Sequence, residues 1–144
     1  MISLRHLGIT VDNIEKMENF YCNLLGCEVY KIMQEEGACI DNFSGIENIK
    51  VTTSKMNLPG GGLLELLKYH SPANTSFPDQ NRQIIEVGLS HLALTVDNLD
   101  LLYENLMKEG IVFLYPVQAS PDGNVKIAFC RDPEGNLIEL VEEL

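Results

Sequence analysis

Arg5-His6-Leu7-Gly8-Ile9-Thr10-Val11-Asp12-Asn13-Ile14 and Ser90-His91-Leu92-Ala93-Leu94-Thr95-Val96-Asp97-Asn98-Leu99 are two copies of one pattern, identical at the His, Leu, Thr, Val, Asp and Asn positions. The chain is an internal duplication, offset by 91 − 6 = 85 residues. The relation returns further on, where Gly62-Leu63-Leu64-Glu65-Leu66-Leu67 reads like Gly135-Asn136-Leu137-Ile138-Glu139-Leu140. A duplicated fold repeats apolar residues because it needs the same core twice. A repeated His and a repeated Glu inside strand-like sequence are costly unless something pairs them, and a metal ion is the simplest partner.

Working outward, Leu4 to Val11 alternates so that Leu4, His6, Gly8 and Thr10 share one face and Leu7, Ile9 and Val11 the other, as expected of a strand packed on a helix. The helix follows at once: Asp12 or Asn13 can cap it, Ile14, Met17, Phe20 and Leu24 recur at helical spacing, and Gly26 suits its C-terminal stop. The second copy repeats the plan with Asp97 or Asn98 as cap, the stripe Leu99, Leu102 and Leu106, and Gly110 as stop. Strands are then predicted at 28–33, 49–54 and 63–68 in the first half, and at 112–115, 125–130 and 137–141 in the second. Each half reads β-α-β-β-β. Pro59-Gly60-Gly61-Gly62 and Asp132-Pro133-Glu134-Gly135-Asn136 supply turn chemistry for a hairpin joining the last two strands of each half. The expectation is an α+β fold: one domain over 1–144, made of module 1–70 and module 87–144 joined by a polar linker at 71–86.

His to Glu spans 65 − 6 = 59 positions in the first half and 139 − 91 = 48 in the second. The excess is placed around Glu35 to Asn48 as an extra loop, a natural carrier of substrate contacts or a tolerated surface insertion.

With 144 residues, 45% of them hydrophobic and 22% charged, the chain suits a globular fold rather than disorder. Ten Lys plus Arg against 21 Asp plus Glu give a net charge of −11, which opposes nucleic acid and anionic membrane surfaces. No charged leader precedes an apolar stretch and no run is long enough to span a bilayer, so a cytoplasmic location is expected. Cys22, Cys27, Cys39 and Cys130 lack zinc-finger spacing and read as reduced thiols in a core. Glu142 and Glu143 read as a solvated acidic tail, and His70 as a loop histidine. Lys50, Lys126, Arg131 and Arg5 could meet an anionic substrate group, but isolated surface charges are the usual explanation.

His6, Glu65, His91 and Glu139 are the candidate metal ligands. Two imidazoles and two carboxylates with two open positions suit octahedral Zn²⁺, Ni²⁺, Co²⁺, Mn²⁺ or Fe²⁺, and affinity order alone does not choose among them.

On these residues the chain resembles the vicinal oxygen chelate superfamily, which includes glyoxalase I, methylmalonyl-CoA epimerase, fosfomycin-resistance enzymes, bleomycin-resistance proteins and extradiol dioxygenases. The resemblance runs over nearly the whole chain, through His6–Val11, Phe20–Gly26, Leu64–Leu67, His91–Val96 and Phe129–Leu140. It implies a cupped mixed sheet from paired β-α-β-β-β modules, with His6, Glu65, His91 and Glu139 on the family's four ligand positions, and a homodimer. Two Glu tilt the pattern toward glyoxalase I and the epimerases. Against glyoxalase I, the 91 − 65 = 26 positions between Glu65 and His91 lack its characteristic Asn and Gly segment, and Ser71-Pro72 with Phe77 are more similar to the epimerase. Against the epimerase, Glu65 stands where that enzyme has Gln, and Glu47 is the nearest match to its separate catalytic Glu.

The activity implied is a metal-dependent isomerase or lyase that removes a proton next to a carbonyl of a small-molecule substrate, with Glu139 and then Glu65 as the candidate bases. Its rivals are a protein that sequesters a small compound in the same cup, as bleomycin-resistance relatives do, and a metal-dependent dioxygenase or thiol transferase.

Overall fold

Leu7, Ile9 and Val11 alternate with Gly8 and Thr10, and that alternation forms the first strand, β1 (Leu7–Thr10), separated from the first helix by three residues. Asn13 caps the helix α1 (Ile14–Glu18) by accepting from the Lys16 amide at 2.9 Å. The winding then widens into a π-helical stretch, Asn19–Leu24, in which the consecutive rings of Phe20 and Tyr21 are both fully buried and meet edge to face at 5.0 Å. Gly26, at φ 78°, ends it in a conformation that disfavours a Cβ. The computed structural model describes all residues except Asn74, Thr75, Phe77, Pro78 and Gln80. Phe77 and part of the expected 71–86 linker thus lie outside the described residues.

The chain divides into two units, Met1–Phe77 and Pro78–Leu144. The first continues with β2 (Glu28–Glu36), α2 (Ala38–Ser44), β3 (Lys50–Asn57) and β4 (Leu63–Ser71). Its sheet has the order β1-β4-β3-β2, with β1 and β4 parallel and the other pairs antiparallel. The second holds β5 (Leu92–Thr95), α3 (Leu99–Lys108), β6 (Gln118–Ala119), β7 (Val125–Arg131) and β8 (Leu137–Glu143). Its order, β5-β8-β7-β6 with β5 parallel to β8, is the same topology. Two four-stranded mixed sheets of one design are the α+β architecture the repeat implies.

Each sheet has a core face and an open face. In the first unit Met56, Leu64 and Leu66 are buried, as are Met17, Phe20 and Tyr21 of the helical segment, and α1 packs on β4. In the second, Ala128, Cys130, Ile138 and Leu140 are buried, as are Leu99 and Leu106 of α3, which packs on β7 and β8. Asn98 caps α3 by accepting from the Leu101 amide at 3.0 Å.

Several elements differ from the sequence expectation. The strands carrying the histidines start at Leu7 and Leu92, so His6 and His91 each stand one residue ahead. The strand expected at 112–115 is a single bridge, Phe113 to Cys130, followed by the two-residue β6, because Pro116 has no amide to continue a ladder. His70 belongs to β4, where Nε2 meets Thr52 Oγ1 at 2.8 Å. Glu142 is no solvated tail: it lies in β8 and accepts from the Leu99 amide at 2.9 Å, filling an orphan donor at the start of α3. The excess segment is not all loop. β2 runs on to Glu36, whose carboxylate meets Lys50 at 3.1 Å, and α2 occupies its middle.

Asn98→Ala should lower the free energy of unfolding by about 1 kcal/mol through loss of the α3 cap, read from urea denaturation, whereas the exposed Asn105→Ala should change it by less than about half of that.

Candidate active site

The parallel pairing of β1 with β4 sets Gly8 opposite Glu65, and that of β5 with β8 sets Ala93 opposite Glu139. Directly opposed residues share a face, and His6 and His91 precede Gly8 and Ala93 by two positions, so each His falls on the face of its Glu. The opposed residue is glycine or alanine in both copies, leaving the space between imidazole and carboxylate unobstructed. His6 Nδ1 comes to 3.5 Å from Glu65 Oε1, and His91 Nε2 to 3.1 Å from Glu139 Oε2. A Cβ on Gly8 would stand 3.2 Å from Leu67 Cδ1, so the first copy is the tighter of the two.

The structure therefore brings the four sequence-derived residues together as two pairs, one in each unit. Within either unit, no group of three or more His, Cys, Asp or Glu is gathered among the described residues. Imidazole nitrogen beside carboxylate oxygen is a donor set suited to a divalent transition ion. The pairs differ in their surroundings. Glu65 is 8% exposed, and Lys55, its cross-strand partner on β3, meets the same Oε1 at 2.8 Å. That hydrogen bond holds the Lys55 ammonium above the usual lysine range, against the opposing pull of burial. In the second unit the residue opposite Glu139 is Phe129, which packs edge-on against the His91 ring at 5.2 Å. His91 Nδ1 also meets Ser90 Oγ at 3.0 Å, a contact that orients the ring.

Lys55 was not among the sequence candidates. Its signal was available: counting back from the Pro59–Gly62 turn pairs position 55 with position 65, and Val51, Thr53 and Lys55 alternate onto the face of Glu65. The cations singled out from sequence have structural partners: Lys50 meets Glu36, Lys126 meets Asp100 at 2.6 Å, and Arg131 donates to the carbonyls of Gly135 and Arg82. Arg5 is exposed. Glu47 lies exposed between α2 and β3.

The excess segment reaches the open face of the first sheet. Ile40 of α2 packs with Ile49 and Val51, and Leu67 and Tyr69 close the cluster. Asp41 ties the segment down by accepting from the Asn48 and Ile49 amides, both at 2.9 Å. Because Val51, Leu67 and Tyr69 alternate in register with Lys55 and Glu65, α2 covers one end of the face that carries His6, Lys55 and Glu65.

A family model described as the Glyoxalase/Bleomycin resistance protein/Dioxygenase superfamily matches residues 3–140. The chain belongs to that superfamily. Among curated relatives of this superfamily member, the uncharacterized protein YwkD of Bacillus subtilis is 27% identical over 143 residues, covering 98% of this chain and 97% of its own. Biphenyl-2,3-diol 1,2-dioxygenase 3 of Rhodococcus globerulus is 29% identical over 140 residues, covering 95% of this chain but 61% of the dioxygenase. Among solved structures, a glyoxalase family protein from Bacillus cereus superposes with a TM-score of 0.90 at 22% identity, over 100% of this chain and 95% of that one. That likeness extends the fold assignment across the whole superfamily domain.

The four thiols are free. Cys27 and Cys130 are buried as expected, Cys22 is half-buried, and Cys39 is exposed on α2 rather than in a core. Burial pushes Cys27 up to about 11 and Cys130 up to about 12, which makes both poor nucleophiles. A thiol raised on folding keeps its proton in the native state, while the unfolded chain, titrating near 9.0, releases it. Stability should therefore fall as pH rises above about 9. Urea midpoints between pH 8 and pH 9.8 should show that fall, and Cys130→Ala should flatten it; an unchanged slope in that variant would remove Cys130 as the cause.

Proposed function

We propose that the chain is a metal-dependent isomerase or lyase of the glyoxalase and epimerase kind, with His6, Glu65, His91 and Glu139 as the ligands of its divalent metal. The observation that carries this reading is the doubled His–Glu pair, built in the same register on the same strand pairing, with a small residue opposite each Glu. The donor chemistry fits such an ion. In the first unit the imidazole of His6 and the ammonium of Lys55 both turn to one carboxylate oxygen of Glu65. His6, Glu65, His91 and Glu139 would be the ligands. When bound, the ion would supply electrophilic polarisation of two neighbouring substrate oxygens, easing loss of a proton from the adjacent carbon.

The proton goes to a carboxylate of this chain. Glu139 is the better base: its partner is the His91 imidazole alone, while Glu65 is shared between His6 and Lys55 and is the more buried. A carboxylate with one weak partner can swing to take a proton from one position and return it to another. The ring of Phe129 beside His91 makes that side of the site apolar, which strengthens electrostatic contacts with substrate.

The dioxygenase relative supports a second reading, ring cleavage at iron, which would need Fe²⁺ specifically. A homodimer is also proposed. Its support is the run Ile84, Ile85, Val87 and Leu89, exposed apolar side chains in the isolated chain, of the kind another protein surface covers. Light scattering should then give about twice the 16.1 kDa chain mass.

Protein purified without chelator should carry about one divalent ion per chain by elemental analysis, and His6→Ala and His91→Ala should each lose it at unchanged circular dichroism. With Ni²⁺ or Co²⁺ restored, proton exchange on hemithioacetals and acyl thioesters should fall at least about a hundredfold in Glu139→Gln while metal content holds. Exchange at the wild-type rate in that variant would remove Glu139 as the base. Activity with Fe²⁺ alone and oxygen consumption would decide for the dioxygenase, and no metal uptake at all would leave a ligand-sequestering protein.

A further inference from the structure

Lys55 has a neighbour that a stable sheet would avoid. Lys31 of β2 stands directly opposite it on the same face, and like charges in that relation oppose each other. Glu35 of β2 and Glu65 of β4 both lie within electrostatic reach of Lys55, so the acidic groups there set their charge chiefly against Lys55. Lys55 is tied to Glu65, but Lys31 is exposed and has no ion-pair partner among the described residues. The duplication itself does not demand a cation there, because the second copy sets Phe129 opposite Glu139. The lysine pair is thus a feature of the first unit's open face, whose far end α2 covers.

We propose that Lys55 and Lys31 form an anion subsite that Glu65 keeps closed until its carboxylate is engaged as a ligand, and that the subsite takes a carboxylate borne by the substrate. The proposal rests on the metal reading above. Glu65 Oε1 is within 2.8 Å of the ammonium, and a divalent ion on that carboxylate would draw off its negative charge and weaken its hold on Lys55. Once released, the ammonium is a mobile cation within one side-chain length of Glu65, and Lys31 adds a second charge from the adjacent strand. The substrate class is therefore a small carboxylate rather than a neutral carbonyl compound.

Calorimetric titration of wild type, Lys55→Met, Lys55→Gln and Lys31→Met tests this, with folding matched by circular dichroism. Co²⁺ is titrated first; glycolate, its uncharged methyl ester and inorganic phosphate are then titrated into the Co²⁺-loaded proteins. Removal of a competing cation should tighten Co²⁺ binding about tenfold in either Lys55 variant. Glycolate should weaken about tenfold in the Lys55 variants and about threefold in Lys31→Met, while the methyl ester binds all four proteins alike. Co²⁺ and glycolate constants within twofold of wild type in every variant would overturn the subsite and leave the metal reading standing. No Co²⁺ uptake by any of the four proteins would overturn the metal reading and the subsite with it. Phosphate binding tighter than glycolate would overturn the carboxylate assignment.

Discussion

The site depends on one register: the parallel pairing that puts a residue with almost no side chain opposite a glutamate, Gly8 against Glu65 and Ala93 against Glu139. A parallel pair cannot be closed by a tight turn, so its register is held by everything in between, the helix and the two antiparallel strands that return the chain to the edge. Shift either pairing by one residue and the Glu would turn to the helix-packed face, where a carboxylate has no partner. The apolar neighbours therefore do more than fill a core. Leu64 and Leu66, fully buried on either side of Glu65, and Ile138 and Leu140 on either side of Glu139, fix which way the acid points.

The same register built twice does not give two equal halves. In the first copy a long β2 flanks β3, carries Lys31 opposite Lys55, and runs on into α2, which packs over the open face. In the second copy the corresponding stretch pairs at the Phe113–Cys130 bridge and at Gln118–Ala119, and Phe129 stands opposite Glu139 where the first copy has Lys55 opposite Glu65. The glutamate-bearing face of the first sheet thus carries lysines and is covered at one end, while that of the second is more apolar. Duplication preserved what both sheets need in order to fold and let the residues opposite the two glutamates diverge.

This divergence sets what could be read from the letters alone. His6, Glu65, His91 and Glu139 were legible because they repeat, and so were both helices, whose caps Asn13 and Asn98 make the bonds their positions imply. Lys55 was hidden for the converse reason: attention to what the copies share passes over the place where they differ, although the hairpin count would have paired it with Glu65. The apolar run at 112–115 had the letters of a strand, and only the missing amide of Pro116 and the bends around it stop the ladder. Glu142 had the letters of a tail, yet its carboxylate answers an open amide on a helix 43 positions earlier, a tertiary bond that periodicity cannot show.

Glu65 also decides how the fold and its proposed ion are related. A carboxylate 8% exposed in a strand carries a desolvation cost that has to be offset by partners, and the chain supplies two, His6 and Lys55. The protein's own groups therefore satisfy the charge, so folding does not wait on a cation as it does in a small zinc domain whose ligands have no other partners. Such an arrangement suits an ion that serves chemistry rather than structure. It has a cost in affinity, since an ion on Glu65 competes with a bond already made to Lys55. On this view the buried ion pair of the first unit is less a stabilising device than a means of keeping one carboxylate and one ammonium in place, each occupied by the other until both are needed.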